Sequence, residues 1–109
     1  MISESVLAGI VAEIVREGNP TRVYAFGSVA RGEASAGSDL DLLVVTQNGF
    51  SSAKERLDEE LRLRRAIRRF RVPADILLYS RDEVDRWSSS RNHVIARALR
   101  EGRVVYERP

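Results

Sequence analysis

Apolar positions along the first fifteen residues recur with the period of a helix. Val6, Leu7, Ile10, Val11, Ile14 and Val15 fall on one side, with Glu4, Glu13, Arg16 and Glu17 on the other. An amphipathic helix from Ile2 follows, and Gly18-Asn19-Pro20 ends it, because Gly and Asn accept a left-handed cap and proline cannot continue the ladder. The period then changes. Arg22-Val23-Tyr24-Ala25-Phe26 has the β-branched and aromatic content of a short strand that delivers the chain to Gly27-Ser28. Leu40 to Thr46 reads as a second strand, apolar on both faces from Leu42 to Val45, which places it in the middle of a covered sheet. After the Gln47-Asn48-Gly49 turn, Ser52 and Glu55 form a capping-box spacing that opens a helix to about Phe70, with Ala53, Leu57, Leu61 and Ile67 as its inner stripe. Asp75 to Tyr79 reads as a third strand, and Ser80 with Glu83 as a second capping box. Asn92 to Glu101 reads as a last helix stopped by Gly102, and Arg103 to Tyr106 as an edge strand. This order predicts an α+β fold, close to α/β: a small mixed sheet packed with helices.

The 109 residues suit one domain over 1–109, able to bury roughly two thirds of its unfolded surface. The absence of cysteine excludes disulfides, thiolate zinc and cysteine nucleophiles, and suits a cytoplasmic location. No apolar run approaches a membrane span, and the acidic residues near the start do not fit a signal peptide. A net charge of +2, with both signs interspersed, does not by itself indicate a nucleic-acid binder. The arginine run Arg62, Arg64, Arg65, Arg68, Arg69 and Arg71 follows Asp58, Glu59 and Glu60. That order complements a helix dipole and gives pairs such as Glu60 with Arg64; the functional alternative is a patch for an acidic partner or an RNA backbone.

The chemistry is concentrated between Gly27 and Val45. On a strand Asp39 and Asp41 project from the same face, and Asp75, also at the start of a strand, would lie beside them if the two strands are neighbours. At about 5 Å and an effective dielectric near 20, each carboxylate pair repels by roughly 3 kcal/mol, a term whose sign a divalent ion reverses. Mg²⁺ prefers one or two carboxylates together with waters and substrate phosphates, and two such ions fit an in-line displacement that releases pyrophosphate. Glycine at position 27 lets a phosphate approach the backbone, Ser28 can donate to phosphate oxygens, and Arg31 is a further candidate phosphate contact. These residues point to nucleotidyl transfer. Neither a P-loop nor a dinucleotide Gly-x-Gly-x-x-Gly is present.

Gly27-Ser28, ten intervening residues, Asp39-Leu40-Asp41 and a later Asp75 resemble the minimal nucleotidyltransferases of the DNA polymerase β-like superfamily. The Ala-Arg-Gly after the Gly-Ser, the serine before Asp39 and the closing Leu-Arg-Glu-Gly-Arg-Val-Val-Tyr-Glu extend the likeness over most of the chain. The resemblance implies Mg²⁺ at Asp39, Asp41 and Asp75, and ATP or another NTP at the Gly-Ser. It also implies a helical HEPN partner, since small members of the group are often encoded with one and some act as antitoxins by transferring AMP to it. Alternatives are a non-catalytic nucleotide-binding module and an RNA-directed transferase, and a homo-oligomer is compatible with each. The sheet and its helices leave little to bind an acceptor, so a second subunit or the substrate protein is expected to complete the cleft.

Overall fold

The computed structural model describes residues 2–27 and 40–109. Helix α1 (Glu4–Gly18) starts where the Ser3 hydroxyl accepts from the Val6 N–H, and ends at Asn19, whose φ of 44° is the left-handed cap the Gly-Asn-Pro stretch predicts. Strand β1 (Arg22–Phe26) pairs antiparallel with β2 (Leu40–Thr46), and β2 pairs parallel with β3 (Ala74–Ser80). Strand β4 (Arg103–Glu107) closes the other edge against β1, giving the order β3-β2-β1-β4. The mixed sheet is therefore as predicted, and β2 is central because Leu42 to Val45 are buried from both sides.

Side-chain alternation divides the core. Val23, Ala25, Leu40, Leu42, Val44, Ile76 and Leu78 face α1 and the helix α2 (Ala53–Ala66), packing on Leu7, Ile10, Val11, Ile14, Leu63 and Ile67. Tyr24, Phe26, Leu43 and Val45 face the other way, beneath α3 (Arg81–Trp87) and α4 (Val94–Glu101), with Ala98, Val84 and Val94 against them. Four α-helices thus cover the two faces of the sheet among the described residues.

Helix α2 departs from its predicted form in two ways. It ends at Ala66, and Arg68–Phe70 continue as one 3₁₀ turn before Arg71 turns the chain with a φ of 55°. Its inner stripe is also different: Leu57 and Leu61 are 51% and 44% exposed, while Leu63 and Ile67 are buried. Arg56, Glu60 and Arg64 share the inward side with Leu63, because the helix lies along the open edge of β3 and unpaired carbonyls there need donors. At the start of the helix Ser52 caps the Glu55 N–H as expected, but the Glu55 side chain turns to the Ser51 hydroxyl, so the reciprocal half of the box is not made. At Ser80 and Glu83 both halves form, at 2.9 and 3.2 Å.

Candidate active site

The parallel pairing of β2 with β3 sets Asp41 directly across from Asp75 in register, one residue after Leu40 faces Ala74. Adjacent strands lie about 4.8 Å apart, so the two carboxylates leave the sheet side by side. Both have the strand parity of Leu43, Val45, Leu77 and Tyr79, so they belong to the face that α3 and α4 cover further along, at the end where both strands begin. Asp41 is half-buried and Asp75 exposed. Two like charges this close repel by roughly 3 kcal/mol at an effective dielectric near 20, before the partners of either carboxylate are counted.

Gly27 meets the same point from β1. Phe26 is the antiparallel partner of Asp41, and the next residue, Gly27, turns with a φ of +77°. A Cβ at position 27 would run into Asp41 Oδ2. Glycine is therefore required twice, once by the backbone conformation and once by the approach of the carboxylate. A cradle that a single methyl group would fill, beside two hard oxygen donors, suits a divalent cation with phosphate oxygens. Ser28, Arg31 and Asp39 lie outside the described residues. Within the described residues no group of three or more His, Cys, Asp or Glu side chains comes together as a metal cage, so the described part of the site is the Asp41 and Asp75 pair with Gly27.

A side chain that the sequence pattern read only as part of a charge run also reaches this site. Arg64 extends from α2 over the edge of β3, where Nη2 donates to Asp75 Oδ1 at 2.9 Å and Nη1 donates to the Ala74 carbonyl at 3.0 Å. Glu60 holds the same guanidinium at 3.0 Å. Its pKa is raised, first by the Glu60 hydrogen bond and then by Asp75, with burial opposing. Two turns earlier Arg56 treats the same edge similarly, donating to the Leu78 carbonyl at 2.6 Å and to both oxygens of Glu83 at 3.1 and 2.7 Å. That fork holds the Glu83 carboxyl below its usual range, although burial pulls the other way. The spacing of Arg56 and Arg64 on one side of a helix was the available signal; their long-range acceptors were not.

The rest of the arginine run divides. Arg62 pairs with Glu59 and Glu17, and Arg69 with Glu13 at 3.4 Å while lying over Phe70. Arg65, Arg68 and Arg71 form no ion pair among the described residues. His93 caps α4 by accepting from the Ile95 N–H at 3.0 Å and stacks on Trp87 at 4.7 Å, which gives both a local structural role. A cavity of about 400 Å³ lined by Thr21, Arg22, Tyr24 and Val45 lies at the opposite end of β1 and β2, away from the aspartates. No described helix is long and apolar enough to cross a membrane.

A small four-stranded mixed sheet covered by helices is the fold of the nucleotidyltransferase class. Residues 7–105 match the model of the nucleotidyltransferase domain, and the chain belongs to that family. A structure assigned as a minimal nucleotidyltransferase is 32% identical, with 94% of this chain and 95% of that one covered and a TM-score of 0.58. A structure from Sulfolobus solfataricus assigned as a nucleotidyltransferase, 23% identical, aligns over 95% of this chain and 79% of its own with a TM-score of 0.58. A toxin–antitoxin structure with AMP-PNP, 17% identical, aligns over 93% of this chain and 73% of its own with a TM-score of 0.60. MntA–HepT toxin–antitoxin structures share the fold as well, one at 15% identity and a TM-score of 0.55 over 96% of this chain and 74% of its own. No curated protein matches the chain.

Proposed function

We propose that this chain forms a Mg²⁺-dependent nucleotidyltransferase domain over residues 1–109, working in the cytoplasm, that moves AMP or another NMP from an NTP to a partner protein. In this reading Asp39, Asp41 and Asp75 hold two Mg²⁺ ions, and Gly27, Ser28 and Arg31 hold the nucleotide phosphates. The observation that carries it is the registered pair of Asp41 and Asp75, with Gly27 pressed against the Asp41 carboxylate. The bound metal would neutralise phosphate charge and lower the pKa of an attacking hydroxyl. The acceptor oxygen bonds to the α-phosphorus, the bridging P–O bond breaks, pyrophosphate leaves, and the hydroxyl proton passes to a carboxylate or to solvent.

The partner we favour is a HEPN-type helical toxin, with this chain as its antitoxin; the likeness to MntA–HepT toxin–antitoxin structures supports that choice. An RNA-directed transferase is less supported, because Arg62, Arg64 and Arg69 are each engaged by carboxylates and Phe70 lies under Arg69 and against Gly9. The test is label transfer. With α-labelled ATP and Mg²⁺, a partner protein that co-purifies with this chain should retain label after denaturation. A stable complex that takes no label from any NTP contradicts transfer and supports a module that acts by contact.

A further inference from the structure

We propose that Arg64 is a positioning residue that aims the Asp75 carboxylate at the metal site; the inference rests on the reading of Asp75 as a metal ligand. Asp75 sits on an edge strand with its side chain 59% exposed, so nothing in the sheet itself fixes its rotamer. Arg64 supplies that constraint. One edge of its planar fork is fastened to the strand through the Ala74 carbonyl, the residue immediately before Asp75. The adjoining nitrogen takes Asp75 Oδ1 and leaves the second carboxylate oxygen for another ligand. The guanidinium cannot drift, because Glu60, one turn back on α2, holds the nitrogen that reaches Asp75.

A competing effect has to be weighed. A cation beside a metal ligand also repels the metal, and on that ground alone its removal would tighten binding. Glu60 at 3.0 Å offsets most of that field, whereas nothing replaces the orientation. Outer partners that orient metal ligands are typically worth 10- to 100-fold in affinity, so positioning should dominate. A lysine at this position could keep the charge but not span Ala74, Glu60 and Asp75 at once, since an ammonium lacks the planar fork.

The experiment is Mn²⁺ binding to the full chain, followed by the loss of the free-ion paramagnetic signal, for wild type, Arg64→Ala, Arg64→Lys and Asp75→Asn, with the metal-free Tm of each. The expected result is a Kd weakened about 10-fold or more in Arg64→Ala, with Arg64→Lys closer to the alanine variant than to wild type. A purely structural role would lower the metal-free Tm and leave the Kd alone. Binding within twofold of wild type in either Arg64 variant, while Asp75→Asn is defective, overturns the inference and spares the reading of Asp75. Undiminished binding by Asp75→Asn overturns that reading and the inference with it. Should Arg64→Ala not fold, the lysine variant carries the same comparison.

Discussion

Replacing Gly27 with alanine tests the geometry of the site at its tightest point. The backbone there has a φ of +77°, and an L-residue in left-handed space loses roughly 1–2 kcal/mol. The new Cβ would also run into Asp41 Oδ2, so either the carboxylate or the turn must move. Overpacking of this kind costs about 1–3 kcal/mol. Together the two terms come to about 2–5 kcal/mol, within the stability of a typical domain, so the variant should fold with a Tm lower by about 8 °C or more. The functional effect should be larger than the structural one, because the displaced group is a proposed metal ligand. Thermal unfolding with and without Mg²⁺ and ATP reads both quantities. A Gly27→Ala protein with a wild-type Tm and a wild-type ligand shift would refute the close packing of turn and carboxylate.

Other expectations follow from the β3 edge and the core. Arg56→Ala should destabilise by about 1–3 kcal/mol, since it strips the Leu78 carbonyl and leaves Glu83 without its fork, and urea unfolding measures it. Glu83, held below its usual pKa chiefly by Arg56, contributes stability that is complete above its unfolded value and lost as pH falls through its folded one. The Tm of wild type should therefore fall more steeply than that of Glu83→Gln below about pH 4.5, and parallel curves would contradict the assignment. Leu63→Ala empties a fully buried position beneath α1 and should cost about 2–5 kcal/mol, whereas Leu57→Ala on the exposed side should change urea stability by less than about 0.5 kcal/mol.

Local chemistry makes much of this fold legible in the sequence. Strands β1 and β2 and the turn at Asn19 are where β-branched content and cap residues place them, because those signals act over a few neighbouring residues. The neighbourhood of Asp75 was a conditional expectation: only the parallel pairing of β2 with β3 puts it beside Asp41, and strand order is a long-range property. The inner face of helix α2 departs from its sequence pattern for a related reason. Leu57 and Leu61 have helical spacing, but the sheet edge they would have covered is taken by Leu63, Ile67 and the stems and forks of Arg56 and Arg64. Counting arginine stems as covering surface would have pointed to that side. The contact between Arg64 and Asp75 had no local signature, because an arginine in a charged run gives no sign of which carboxylate it will meet.

The central claim, that Asp41 and Asp75 belong to a metal and nucleotide site, is tested most directly by ligand-dependent unfolding of wild type beside Asp41→Asn. At ligand concentrations one hundred times the Kd, binding to the folded state alone adds about 2.7 kcal/mol, a Tm rise of about 10 °C or more. The account predicts that rise for wild type with Mg²⁺ and ATP together, and its loss in Asp41→Asn. An equal rise in the asparagine variant would contradict it.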